Sequence, residues 1–176
     1  MEAGFAVWIT GLPASGKSTV SSALEKELAS LGVNVAVLES DALRKIFTPN
    51  PRYDEEERDL FYGAVAHVGR ILTEHGVSVI FDATANRRAY RNRARREIAR
   101  YLEVFVDCSL AVCMARDPKG IYRRGKEGSA AGVPGLQADY EPPAAPDVVV
   151  RGETEAPAVA AHRIVRKLIE KGYVKE

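Results

Sequence analysis

Between an apolar stretch ending at Thr10 and a segment of helical period, the chain reads Gly11-Leu12-Pro13-Ala14-Ser15-Gly16-Lys17-Ser18-Thr19. Two glycines at this separation, followed by a lysine and a hydroxyl residue, have the spacing of a phosphate-binding loop. The glycines let backbone N–H groups turn inward around phosphate oxygens. Lys17 supplies a point charge to the outer phosphates, and the Ser18 hydroxyl is a magnesium ligand by type. The start of the following helix adds a favourable potential for an anion. The flanking strand and helix are the context this chemistry requires, so the loop predicts binding of a nucleotide through its phosphates, with Mg²⁺.

Other chemistry-bearing residues fall just after apolar runs. In an open α/β sheet ligands gather beyond the carboxyl ends of the strands. Glu39, Ser40 and Asp41 follow the second run, Asp82 the third and Asp107 the fourth. A carboxylate at this edge can accept the proton of an attacking hydroxyl or hold magnesium through water. Asp41 and Arg44, three residues apart, would share one side of a helical turn, a base beside a cation for an anionic acceptor. A helix cap with a surface arginine is the simpler alternative. Asp82 reads equally as a cap, and Asp107 as structural. The segment Arg87–Arg100 holds seven arginines and one glutamate, a local charge of +6. It reads as a solvated helix face, with a phosphate-facing rim as the alternative. A polynucleotide surface would want aromatic partners for bases, and only Tyr90 is near. His67, His75 and His162 sit in helical segments without metal-ligand spacing.

Five short runs rich in Val and Ile must carry these residues: Phe5–Thr10, Val33–Leu38, Val77–Phe81, Leu102–Val106 and Val148–Val150. Nearly continuous apolar runs of this length suit strands covered on both faces. Helical period appears over Lys17–Leu31, Glu55–His75, Arg88–Arg100 and Glu155–Lys171, and Ser109 could cap a further short helix. Strand alternating with helix predicts one α/β domain over residues 1–176, a five-stranded parallel sheet with helices on both faces in the three-layer manner of P-loop nucleotide-binding folds. Pro118–Pro146 breaks the rhythm with Gly, Pro and charge. A loop that long in a compact domain is usually functional, and it reads as a mobile lid followed by an ordered return to the sheet.

Composition narrows the class. Of 176 residues, 46% are apolar and 28% charged, an ordinary globular balance that excludes disordered and fibrous chains. With 25 Lys and Arg against 24 Asp and Glu, nothing draws the whole chain to nucleic acid or an anionic membrane. No apolar stretch nears the roughly 20 residues that span a bilayer. The first ten positions lack the pattern of an export signal. Two cysteines, Cys108 and Cys113, are too few for a disulfide scaffold and read as core residues. A reducing cytoplasm is the expected setting. A phosphate loop implies nucleotide binding without naming the reaction. An Asn-Lys-x-Asp base-reading segment, expected of a GTPase, is absent. A small-molecule kinase is therefore the leading class.

Several motifs together resemble the adenylylsulfate kinase family, over essentially the whole chain. They are Val7-Trp-Ile-Thr-Gly-Leu-Pro-Ala-Ser-Gly-Lys-Ser-Thr19, Leu38-Glu-Ser-Asp-Ala-Leu-Arg44, Glu103-Val-Phe-Val-Asp107, Ala115-Arg-Asp-Pro-Lys-Gly-Ile-Tyr-Arg-Arg124 and Asp139-Tyr-Glu-Pro-Pro143. The resemblance implies transfer of the ATP γ-phosphate to the 3′-hydroxyl of adenylyl sulfate. Asp41 would be the base or magnesium-water holder, with Lys17 beside the phosphates. Arg44 and Arg58 would contact the acceptor's phosphosulfate side, Tyr53 its adenine, and Arg116 the adenine of ATP. Lys119, Arg123 and Arg124 would belong to the lid and substrate-contacting segment, with Lys119 binding the acceptor. Two segments depart from the family pattern: Glu39-Ser40-Asp41, and Ala83-Thr-Ala-Asn86 after the third strand; Phe61 stands where the family has asparagine. All three lie around the acceptor. A kinase for another hydroxyl, such as a nucleic-acid 5′ end or a phosphorylated metabolite, and a non-catalytic ATP-binding regulator stay open at this point. The sequence also leaves a homodimer open.

Overall fold

A computed structural model describes residues 2–175. Five parallel strands form one sheet: β1 (Ala6–Thr10), β2 (Val35–Glu39), β3 (Ser78–Asp82), β4 (Tyr101–Asp107) and β5 (Val148–Arg151). Their order is β2-β3-β1-β4-β5. β1 is central, paired with β3 on one side and β4 on the other. Its side chains explain the unbroken apolar run. Val7 and Ile9 enter a core with Leu24, Leu28, Ile164 and Leu168. Ala6 and Trp8 enter a second core with Phe61, Val65, Phe81 and Tyr90. A strand covered on both faces needs apolar residues at every position.

The first core is made by α1 (Lys17–Ser30) and α7 (Pro157–Glu170), the second by α3 (Glu55–Glu74) and α4 (Arg88–Glu97). Asp54 caps α3 by accepting the Glu57 N–H at 2.9 Å, and three glutamates in its first turn suit the helix dipole. Trp8 links core to site. Its ring stacks on Phe81 at 4.5 Å between centroids, and its Nε1 donates to the Ala83 carbonyl at 3.1 Å. The segment after β3 is thereby pinned against the middle of the sheet.

Three expectations change. First, Ser40–Phe47 forms a full helix, α2, directly after β2, where the sequence suggested only a turn. Second, Pro118–Pro146 is not irregular at its start. After α5 (Leu110–Arg116), the chain forms α6 (Ile121–Lys126). The Asp117 carboxylate accepts from the N–H groups of Ile121 at 2.7 Å and Arg123 at 2.9 Å. The buried Tyr122 anchors α6 by donating its hydroxyl to the Pro13 carbonyl at 2.9 Å. A helix six residues long needs only a cap and an anchor, so it leaves no periodic signature.

Third, the arginine-rich helix is not simply a solvated face. Arg91 is 1% exposed. Its Nε donates to Glu103 at 3.0 Å and its Nη2 to the Glu141 carbonyl at 2.6 Å. Arg87, Arg93, Arg95 and Arg100 pair with Glu55, Asp59, Glu103 and Glu2. Acids remote in sequence thus answer the local positive charge, and α4 is stitched to α3 and β4. The cysteines behave as expected. Cys108 and Cys113 are both buried free thiols, packed with Tyr122 and Val133.

Candidate active site

The chain leaves β1 for the β2 side of the sheet and later returns from β3 to β4, so the carboxyl end of β1 is a topological switch point, where open sheets bind ligands. The loop Gly11–Gly16 sits there. Gly16, at φ 105°, opens α1, and a Cβ built on it would meet nothing within 4 Å. A Cβ on Gly11 would lie 2.6 Å from the Val106 carbonyl oxygen, so the loop hugs β4. The result is a loop at a helix start, a cradle open at Gly16, as an anion needs. Ser15 Oγ is buried with no hydrogen-bond partner among the described residues, an unspent hydroxyl within the loop.

A cleft of about 450 Å³ opens over this cradle. Pro13, Ala14, Gly16, Lys17, Ser18 and Thr19 line its floor. Gly11, Leu12 and Ser15 lie behind it, where the Leu12 carbonyl accepts from Lys17 Nζ at 2.9 Å. Burial pulls the Lys17 pKa below the ordinary lysine value, and the charges of Asp82 and Asp41 oppose that shift. Asp82, Asp41 and Glu39 supply the carboxylates of the cleft, and Arg116 stands on its wall with Nη1 donating to the Gly152 carbonyl at 2.9 Å. Asp82 caps nothing: the N-cap of α4 is Arg87. Its nature was not legible locally, because only the sheet order sets β3 beside the loop.

A second pocket, of about 410 Å³, lies on the other side of Asp41. Arg44, Tyr53, Arg58, Asn86 and the turn from Ser129 to Pro134 line it. Pro13, Ser40, Asp41, Thr84 and Ile121 are common to both pockets. Arg58 is 7% exposed. It donates to Asn86 Oδ1 at 3.0 Å and to the Gly132 carbonyl, and none of its contacts is a carboxylate. Burial lowers its pKa, and the neighbouring Arg44 cation adds to that effect. A buried cation that still lacks a counter-charge favours an anion in the space it faces.

Asp41 and Arg44 do line one pocket, though not as the adjacent pair the spacing suggested. Arg44 turns inward to Glu57 at 3.2 Å and lies 4.0 Å over the Phe61 ring. Asp41 stays exposed and accepts from Lys119 Nζ at 2.6 Å. Lys119 itself lines the cleft over the cradle and a neighbouring groove rather than the second pocket's wall. Its pKa is raised, chiefly by that bond to Asp41. The sequence set Ala83–Asn86 near the acceptor only as a departure from the family pattern, and the Ala130–Pro134 turn only as part of a long loop; no role for Thr84, Asn86 or that turn was legible, because they reach the pocket through long-range packing.

The sequence matches the family model described as adenylylsulphate kinase over residues 3–151. The chain belongs to the adenylylsulfate kinase family. A curated adenylyl-sulfate kinase of Microcystis aeruginosa is 35% identical over 175 residues, covering 99% of this chain and 97% of the relative. A probable adenylyl-sulfate kinase of Archaeoglobus fulgidus is 40% identical over 146 residues, 83% of this chain and 94% of that one. Among solved structures, the Mycobacterium tuberculosis APS kinase CysC in complex with AMPPNP and APS superposes with a TM-score of 0.90 at 29% identity, covering 96% of this chain and 99% of that one. Shikimate kinase of Acinetobacter baumannii, at 13% identity and a TM-score of 0.61, shares the fold alone. Of the departures noted in the sequence, Ser40, Asp41, Thr84 and Asn86 line the second pocket and Phe61 lies under its Arg44, whereas Glu39 lines the cleft over the cradle.

Proposed function

We propose that this chain is an adenylyl-sulfate kinase, transferring the γ-phosphate of ATP to the 3′-hydroxyl of adenylyl sulfate, with ADP and 3′-phosphoadenylyl sulfate as products. One observation carries the reading. The nucleotide-side cleft and the second, cationic pocket meet at Asp41, which lines both. A nucleophile held in one pocket and a triphosphate in the other would react across that carboxylate. Transfer of a phosphoryl group is mostly a matter of positioning and charge stabilisation.

Each residue then has a task. The Gly11–Thr19 loop cradles the phosphates through backbone N–H groups, and Lys17 holds its buried cation toward the outermost one. Asp41 orients the acceptor hydroxyl and takes its proton as the new P–O bond forms and the bond to ADP breaks. Arg44 and Arg58 bind the phosphosulfate anion, Tyr53 faces the acceptor's adenine and Arg116 the adenine of ATP. Lys119 bridges the two pockets by its contact with Asp41. Bound Mg²⁺ would neutralise developing charge on the phosphates. The Ser18 hydroxyl and the Asp82 and Asp41 carboxylates offer it hard oxygen ligands in one cleft. No cluster of three or more His, Cys, Asp or Glu able to hold a metal by itself occurs among the described residues, which suits an ion held largely by phosphate and water. No helix of the described residues is long and apolar enough to cross a membrane. A cytoplasmic setting and the possibility of pairing between copies belong to the same proposal.

The test is direct. Supply γ-labelled ATP with adenylyl sulfate, a sugar phosphate and an oligonucleotide bearing a free 5′-hydroxyl. Label should enter adenylyl sulfate alone, at its 3′ position. Label in another acceptor, or in none while ATP still binds, overturns the assignment.

A further inference from the structure

The sequence Asp54-x-x-Glu57 at the start of α3 has the form of a capping box, in which the fourth residue's side chain returns to the N–H of the first. Only half of that box is built. Asp54 does accept the Glu57 N–H. The Glu57 carboxylate, however, reaches past residue 54. Oε1 accepts from Arg44 Nη1 at 3.2 Å and from the Tyr53 N–H at 3.3 Å, and Oε2 accepts from the Arg52 N–H at 2.5 Å. The residue is 8% exposed and lines neither pocket.

What those three bonds hold is one wall of the acceptor pocket. Arg44 is gripped end-on by Glu57, while its flat face lies 4.0 Å from the Phe61 ring centre and 5.0 Å from that of Tyr53. A guanidinium fixed in its plane and on its face has little freedom left to lose on binding an anion. Tyr53 has φ 59°, a left-handed backbone that side-chain-bearing residues rarely adopt. Its N–H bond to Glu57 helps keep the chain in that turn. On the far side Gly132, at φ 66°, packs against the Tyr53 carbonyl, where an added Cβ would lie 3.3 Å away. One carboxylate therefore sets both a cation and an aromatic ring that belong to different elements.

We infer that Glu57 is a positioning residue for the acceptor: without touching it, its carboxylate fixes the Arg44 guanidinium and the Tyr53 ring in the geometry that receives the adenylyl sulfate anion. This deepens the functional proposal above and rests on it.

Steady-state kinetics on the full chain separate the two. Glu57→Gln keeps the shape but turns one acceptor oxygen into an NH₂ facing donors. It should raise KM for adenylyl sulfate about tenfold or more, the scale of one lost hydrogen bond to a charge, with KM for ATP within about twofold. In an Arg44→Ala background the same change should add clearly less than it does in the parent, because one of the two groups it positions is gone and only the Tyr53 turn is left to disturb. Glu57→Asp keeps the charge on a shorter arm and should fall between; if Glu57→Gln does not fold, the KM split in Glu57→Asp decides. An unmoved acceptor KM, equal rises for both substrates, or full additivity with Arg44→Ala overturns the positioning role. A parent protein that does not phosphorylate adenylyl sulfate overturns the functional assignment instead.

Discussion

Replacing Lys17 by methionine tests the proposed phosphate site most sharply, because the proposal predicts a large catalytic cost where the structure predicts a small structural one. Lys17 is buried, and its ammonium makes one hydrogen bond, to the Leu12 carbonyl. A unit charge about 4 Å from a phosphoryl oxygen is worth about 4 kcal/mol at an effective dielectric of about 20. Removing one preorganised charge-stabilising donor elsewhere costs about 3–4 kcal/mol. The two estimates agree, and kcat should fall by about 10²- to 10³-fold at saturating substrates. Stability should barely move. Methionine fills a similar volume and removes the desolvation that depresses the lysine pKa, against the loss of one hydrogen bond worth about 1 kcal/mol. The melting temperature should therefore stay within about 4 °C of the parent. ADP release in the presence of adenylyl sulfate, alongside a thermal melt, reads both quantities. A variant with kcat within about threefold of the parent refutes the site. So does an activity loss accompanied by a collapse of the fold, since Lys17 would then be structural.

Two further perturbations probe the frame. Glu103→Gln takes the carboxylate from the Arg91 guanidinium, 1% exposed, and leaves Arg95 only its longer contact to Asp147 at 3.6 Å. Breaking a buried pair on one side costs about 3–5 kcal/mol, so the melting temperature should drop by about 10 °C; a drop under about 3 °C would mean the Arg91 bonds to backbone carbonyls suffice. The second concerns alkaline pH. Burial pushes the Cys113 thiol up from 9.0 to about 12. Above pH 9 the unfolded chain releases this proton while the folded one keeps it, so the thiol's contribution is intact below that point and lost as pH rises toward 12. Melting temperatures should fall over this range, at up to about 1.4 kcal/mol of stability per pH unit from this group. Cys113→Val should flatten the decline; identical slopes for parent and variant would rule the account out.

Much of the frame was legible in the sequence because its signals are local. β1, the phosphate loop and α1 form a contiguous piece whose apolar run, glycines and helical period each act over a few residues. Strand ends differ from expectation by one or two positions, as at Val35–Glu39, where pairing with β3 sets the limits. The short α6 escaped notice because a cap and one anchoring tyrosine stabilise it. The arginine run misled for a related reason: Glu103 and Glu141 answer Arg91 from other elements, and no local rule reveals a partner 12 or 50 residues away.

The primary structure by itself determined the form of the Gly11–Thr19 loop, since two glycines and a lysine in a row need nothing beyond a strand before and a helix after. Tertiary structure decided the second pocket. Arg44, Tyr53, Arg58, Asn86 and Gly132 come from four separate stretches, and their pocket exists only because the sheet order sets β3 beside β1 and folds the turn after α6 back over α3. Burial then fixes what each charge does. Arg44 gains a carboxylate partner and Arg58 does not, a difference that depends on which groups are near in space rather than in sequence.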